Sequence, residues 1–176
     1  MREVDDIGQL LELEGAHWDR EMGAISELLE QDLARESPAV LFDDVPGYPS
    51  GFRTLYNHLG TPERLALAVG LPTDYEHMLD FVVDFDEATS DVEHVPPNVV
   101  ADGPVVENVR TGDDLDPLEI PVPKHHEMDG GRYMGTAVCV ITRDPDNPDW
   151  VNLGTYRAQV RDDDEIYLYI SPGKHG

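Results

Sequence analysis

The chain has 176 residues, 40% of them hydrophobic and 28% charged, enough apolar material for one ordinary domain or a small domain with part of another. Twelve Lys and Arg stand against 37 Asp and Glu, a formal charge of −25 spread along the whole chain, which makes nucleic acid and anionic membrane poor partners. A single cysteine excludes an intramolecular disulfide and a multi-cysteine metal site, and no apolar run reaches the ~18 residues of a membrane span.

The first segment, residues 5 to 13, carries Ile7, Leu10 and Leu11 at helical spacing and stops at Gly15, which predicts a helix. A second helix is expected from Met22 to Arg35, with Ile25, Leu28, Leu29 and Leu33 as its apolar stripe and Ser37-Pro38 as its stop. Residues 39 to 42 (AVLF) read as a buried strand. Pro46-Gly47-Tyr48-Pro49 is a loop, and Phe52 to Leu59 a further strand. Thr61-Pro62-Glu63 caps a short helix, with the hydroxyl at the cap and proline in the first turn. Pro72-Thr73 opens another helix through Phe85, with Tyr75, Met78, Leu79, Val82 and Val83 expected to face inward.

Residues 89 to 123 are rich in proline and acids and predict an irregular connection. From Tyr133 the pattern is β: RYMGTAVCVITR, WVNLGTYRAQVR and EIYLYIS, with Asp162-Asp163-Asp164 as a hairpin turn between the last two. Cys139, inside AVCVI, reads as a buried inert thiol. The fold class is therefore mixed α/β. An N-terminal α/β region with its connection (1–115) precedes the opening strands of a small barrel or meander (116–176). The last strand leaves Ile166, Leu168 and Ile170 alternating to one face along an unpaired edge, which predicts association at low salt. Molar salt shortens the screening length to about 3 Å, so the acidic surface fits a halophilic, high-salt cytoplasm. MREVDDIGQLLELEG has no basic region followed by an apolar stretch, so no secretory signal is expected and the expected location is cytoplasmic.

The chemistry-bearing residues cluster at the end. Asn152, Tyr156 and Arg157 open one strand, and Lys174 and His175 follow the next. Asn offers an amide oxygen and His a ring nitrogen, both ligands for a mid-series divalent ion such as manganese, and Arg157 has the fork for a carboxylate or phosphate. Alternation puts Asn152 and Arg157 on opposite faces of one strand, so convergence needs a turn or bulge near Gly154. Two ligands are an incomplete metal motif, and on spacing alone a solvated Asn, Arg and His is the commoner outcome. KHHEMDGG (124–131) sets His125, His126, Glu127 and Asp129 side by side, where sequence neighbours do not share a face. A polar loop is the simpler reading. His17, His58, His77 and His94 are isolated. There is no Gly-rich phosphate loop and no nucleophile elbow.

Several motifs in order, PxPKHHEMDGGRYMGTAVCVITRDP, WVNLGTYRAQV and PGKHG, together with FDDVPGYPSGFRTLYNHLGTPERLALAVGLP, resemble the UbiD family of reversible decarboxylases over nearly the whole chain. The resemblance implies a split, flavin-reductase-like β-barrel, a prenylated FMN cofactor, a manganese-type ion and possibly K+. By it, Asn152 and His175 are metal ligands, and Thr155, Tyr156 and Arg157 contact the cofactor. Arg157 also holds the substrate carboxylate, and Ser171, Pro172, Gly173, Lys174 and Gly176 line the phosphate end. The implied reaction is non-oxidative decarboxylation of an unsaturated or aromatic acid, such as a 4-hydroxybenzoate-type quinone precursor. A flavin prenyltransferase would be the cofactor source, and the full-length protein would be a homo-oligomer. Family members are more than twice as long, so a third ligand, a Glu, and the proton-transferring acids fall beyond residue 176. This chain alone is then expected to be inactive. The competing reading is a catalytically incomplete flavin-phosphate or metal-binding fragment that acts only with a second polypeptide.

Overall fold

The computed structural model describes residues 1–32, 37–93, 95–96, 98–161 and 165–174. The chain divides into two compact units, one of residues 1–13, 26–41 and 55–111, the other of residues 14–25, 42–54 and 112–176. The architecture is mixed α/β with two three-stranded sheets, and neither closes into a barrel among the described residues.

The first sheet has the order β1 (Leu10–Glu14), β2 (Ala39–Asp43), β3 (Thr54–Tyr56). Ala39 N donates to Gln9 O at 2.9 Å and Gly15 N to Asp43 O at 3.1 Å, so numbers rise together and the β1–β2 pair is parallel. A parallel pair needs a crossover, and α2 (Glu21–Gln31) supplies it. The helix expected at 5–13 is replaced by a five-residue helix, α1 (Arg2–Asp6), and strand β1. Gly8 takes φ 70°, which breaks the helix, and Leu11 and Leu13 alternate with Glu12 and Glu14 as a strand requires. The second expected helix begins as predicted, but Leu33 and Arg35 lie outside the described residues. The strand expected from Phe52 to Leu59 shortens to β3.

In the first unit, α3 (Pro62–Val69) carries its expected cap: Thr61 Oγ1 accepts from Arg64 N at 3.3 Å, and Gly70 ends it in the left-handed region. Arg64 is buried and donates to Gln9 Oε1 at 2.9 Å and Ser37 O at 3.0 Å; Ala39, Val40, Leu41 and Ala66 are buried in the same unit. The next helix, α4, runs Met78–Thr89 and starts later than expected. Its inward face is Phe81, stacked on Phe85 and edge-on to Tyr75. Met78, Leu79, Val82 and Val83 are exposed, contrary to expectation: the aromatic at 81 wins the packed position and rotates the aliphatics outward.

In the second unit, Ala16, Met22, Phe42, Val45, Val122, Ala158 and Val160 are buried. Gly23 on α2 abuts the 124–125 backbone: a Cβ there would lie 2.6 Å from His125 O and 2.8 Å from His125 Cα. The 3-10 turns Gly112–Asp114 and Pro117–Glu119 lead into β4 (Arg132–Arg143), β5 (Val151–Arg161) and β6 (Glu165–Leu168), an antiparallel sheet in that order. The hairpin turn predicted at Asp162-Asp163-Asp164 lies outside the described residues, as does His94. Among the described residues, no helix is long and apolar enough to cross a membrane.

Candidate cofactor and metal site

Strand β5 positions Asn152, Thr155, Tyr156 and Arg157 of the predicted site. Its pairing with β4 is unbroken from Val151↔Arg143 to Tyr156↔Val138, and exposure alternates along its whole length. Both register shifts fall further on, at Tyr133/Gly135 and Gly135/Val138, where β4 carries the extra residues. The bulge expected near Gly154 is therefore absent, and the irregularity belongs to the facing strand around Gly135. Asn152, Gly154, Tyr156, Ala158 and Val160 share one face. Leu153, Thr155 and Arg157 share the other.

The first face is half-buried around Asn152 and fully buried at Ala158 and Val160, 3% and 4% exposed. Asn152 is paired across the sheet with Thr142. The Tyr156 ring lies over Gly154: a Cβ at 154 would sit 2.6 Å from Tyr156 Cε2. Glycine is thus required for that ring position. The second face is open. Leu153 and Ile141 are cross-strand partners, 66% and 67% exposed, and Thr155 pairs with Cys139. Cys139 is exposed, not buried as AVCVI suggested, because alternation places it on this uncovered face.

Beyond β6, Ser171 to Lys174 form a turn closed by Lys174 N donating to Ser171 O at 3.2 Å, with Gly173 at φ 83°. Lys174 lines an open cleft of about 470 Å³ with Thr142, Arg143, Asp144, Pro145, Asn147 and Trp150. Thr142, which lines the cleft, is the strand partner of Asn152. The structure thus sets Lys174 and Asn152 at one end of the sheet, while Thr155 and Arg157 occupy the opposite face of β5. His175 and Gly176 lie outside the described residues.

Sequence reasoning missed Arg143 and Trp150, whose only signal is that they bracket the β4–β5 loop. It also missed the anchor of β4. The Arg132 guanidinium lies 3.9 Å over the Trp18 ring, and Arg132 donates to Val122 O at 2.6 Å and to the Tyr48 hydroxyl. The KHHEMDGG segment is a polar loop: Asp129 Oδ2 accepts from His125 N at 3.2 Å and His126 N at 2.9 Å. Among the described residues no group of three His, Cys, Asp or Glu could hold a metal ion. Burial holds His125 below the ordinary imidazole value; the Asp129 charge opposes this and the neighbouring His126 adds to it.

The chain is thus a mixed α/β region followed by a three-stranded antiparallel sheet, with a cleft at one end of that sheet lined by Arg143 and Lys174. Residues 2–82 match the 3-octaprenyl-4-hydroxybenzoate carboxy-lyase N-terminal domain, and residues 98–176 the Rift-related domain of the same carboxy-lyase. The chain belongs to the UbiD family. It is 33% identical over 164 residues to a pyrrole-2-carboxylic acid decarboxylase of Pseudomonas aeruginosa, covering 88% of this chain and 32% of that protein. The closed form of the vanillic acid decarboxylase of Sedimentibacter hydroxybenzoicus superposes with a TM-score of 0.82 at 30% identity, covering 95% of this chain and 35% of that one. The UbiD-class enzyme HmfF of Pelotomaculum thermopropionicum, in complex with prFMN, gives 0.73 at 28% identity, covering 97% and 37%. The chain thus spans about a third of the length of the relatives it matches.

Proposed function

We propose that the chain supplies the N-terminal part of a prenylated-FMN-dependent carboxy-lyase acting on an unsaturated or aromatic carboxylic acid. The observation that carries this reading is the run Asn152 to Arg157 on one regular strand, starting beside a cleft lined by Lys174, within the segment that matches the family. Relatives named as decarboxylases of pyrrole-2-carboxylic and vanillic acid support the acid substrate class.

The residues fit the cofactor and metal in chemical terms. Asn152 offers a half-buried amide oxygen suited to a manganese-type ion, with His175 as the second ligand. By the family resemblance Ser171, Pro172, Gly173, Lys174 and Gly176 border the phosphate end; of these Lys174 lines the cleft, where Arg143 is a second cation. Thr155, Tyr156 and Arg157 are assigned to cofactor contact, Tyr156 from the Asn152 face of β5 and Thr155 and Arg157 from the other, and Arg157 also binds the substrate carboxylate through paired N–H donors. When bound, the prenylated flavin supplies an electron sink as carbon dioxide leaves. Arg157 fixes the carboxylate in place.

Further parts of the reading are a domain boundary near residues 115/116, K+ as a companion ion, cofactor supply by a flavin prenyltransferase, and homo-oligomerisation of the whole protein. A high-salt cytoplasm completes it. The test is to express the chain, and separately the chain with its downstream coding sequence, alongside a flavin prenyltransferase, and to assay carbon dioxide release from a panel of aromatic acids in molar KCl. Turnover by the longer protein alone supports the enzyme reading. A stop codon directly after residue 176, with turnover only when a second polypeptide is added, supports a split enzyme. No turnover in any combination removes the decarboxylase assignment.

A further inference from the structure

Beyond Arg157, the same face of β5 carries Gln159, whose carboxamide has no role in the site described above. Alternation sets the two side chains on one face, two residues and about 7 Å apart along the strand. Gln159 is half-buried where Arg157 is exposed. Its cross-strand partners are both tyrosines, Tyr133 on β4 and Tyr167 on β6, which share that face and flank it. The Gly130-Gly131 bend ahead of β4 makes room for the amide: a Cβ at 131 would lie 2.6 Å from Gln159 Nε2, and one at 130 would lie 3.5 Å from it. The Tyr167 hydroxyl is committed, accepting from Arg161 at 2.8 Å and donating to Glu165 at 2.7 Å. The Gln159 carboxamide is not. Among the described residues it makes no hydrogen bond, and the Arg157 guanidinium makes none either. An amide taken partly out of water gains from a partner that satisfies it.

We propose that Gln159 is a specificity-determining residue, which receives a ring hydroxyl of an aromatic acid whose carboxylate is held by Arg157. The proposal rests on the carboxylate role given to Arg157 above. The spacing of the two residues along the strand is close to the span from a carboxylate to a substituent para to it on a benzene ring. The carboxamide oxygen accepts from the phenol O–H. Tyr133 and Tyr167 offer aromatic surface on either side of that hydroxyl. The substrate class favoured is thus para-hydroxylated benzoic acids over acids with no hydroxyl at that position.

The experiment titrates the whole chain by calorimetry with 4-hydroxybenzoate and with benzoate. FMN is present, and the KCl concentration is one at which circular dichroism shows the protein folded. Four proteins are compared: the parent, Gln159→Leu, Gly131→Ala and Arg157→Gln. The parent should bind 4-hydroxybenzoate about tenfold tighter than benzoate, the scale of one hydrogen bond. Gln159→Leu removes both hydrogen-bonding groups and should bind the two acids alike. Gly131→Ala displaces only the far end of a flexible side chain, so the fold is kept and the preference should shrink. Arg157→Gln should weaken both acids and keep their ratio. A parent without preference, or Gln159→Leu or Gly131→Ala with the parent's full preference, overturns the role of Gln159 and leaves the carboxylate site standing. If Arg157→Gln binds both acids as tightly as the parent, or if the parent binds neither, the carboxylate role falls and the proposal falls with it.

Discussion

Asn152 and Arg157 project from opposite faces of β5, five positions apart on a strand whose pairing is unbroken from Val151 to Tyr156. The two residues therefore do separate tasks. Arg157→Gln should weaken binding of an aromatic carboxylate on the order of tenfold, because the paired donors are lost, while manganese affinity stays unchanged. Arg157→Lys should recover little of this, since an ammonium lacks the fork. Calorimetric titration of the acid in the presence of FMN measures the first quantity, and manganese titration the second.

Two glycines separate stability from binding. At Gly23 an added Cβ meets His125 backbone at 2.6 Å, which no side-chain rotation relieves. Gly23→Ala should cost about 1–3 kcal/mol, read as a lower urea midpoint. At Gly154 the added Cβ meets the Tyr156 ring, which can turn away. Gly154→Ala should change the urea midpoint less than Gly23→Ala and weaken FMN binding more.

Cys139 offers a covalent probe of the open face. It is exposed, and its cross-strand partner is Thr155, on the face that carries Arg157. If that face receives the flavin, FMN should slow maleimide labelling of Cys139, to about a tenth of the free rate at ten times Kd. Mass spectrometry reads this without ambiguity, because the chain has one cysteine. An unchanged rate at saturating FMN would place the flavin elsewhere.

His125 sets a pH dependence. Burial lowers its folded-state affinity for a proton, so below the ordinary imidazole value of about 6.5 the unfolded chain takes up the proton first. Its contribution to stability is intact above that pH and is lost as pH falls toward the depressed folded value. Acidification also relieves the −25 charge, so the comparison must be with His125→Gln. The variant should lose less stability than its parent between pH 7 and pH 5, as measured by urea unfolding.

The sequence was legible where local chemistry is unambiguous. Thr61, Pro62 and Gly70 bound α3 by capping alone. Simple alternation placed Asn152 and Arg157 on opposite faces of β5. It was not legible where one pattern fits two periods. Leu10, Leu11 and Leu13 satisfy a helix and a strand equally, and only pairing with β2 decides. Nor can sequence tell which strand glycine sits beside a bulge: Gly154 packs under a tyrosine, while the register breaks around Gly135. On α4, the competition between Phe81 and its aliphatic neighbours for the packed face is settled by aromatic stacking with Tyr75 and Phe85. The pairing of Arg143 with Lys174 across one cleft joins positions 31 apart, which no local motif reports.

The central claim is a divalent metal held by Asn152 and His175 beside a flavin phosphate. Manganese EPR in molar KCl, with and without FMN, tests it most directly, because high monovalent salt suppresses loose binding by 37 surface carboxylates more than binding at an inner-sphere site. The account predicts weak uptake by the chain alone, tighter uptake with FMN, and loss of that gain in both Asn152→Ala and His175→Ala. If both variants give the parent's curves, with and without FMN, these residues are not its ligands and the metal assignment fails.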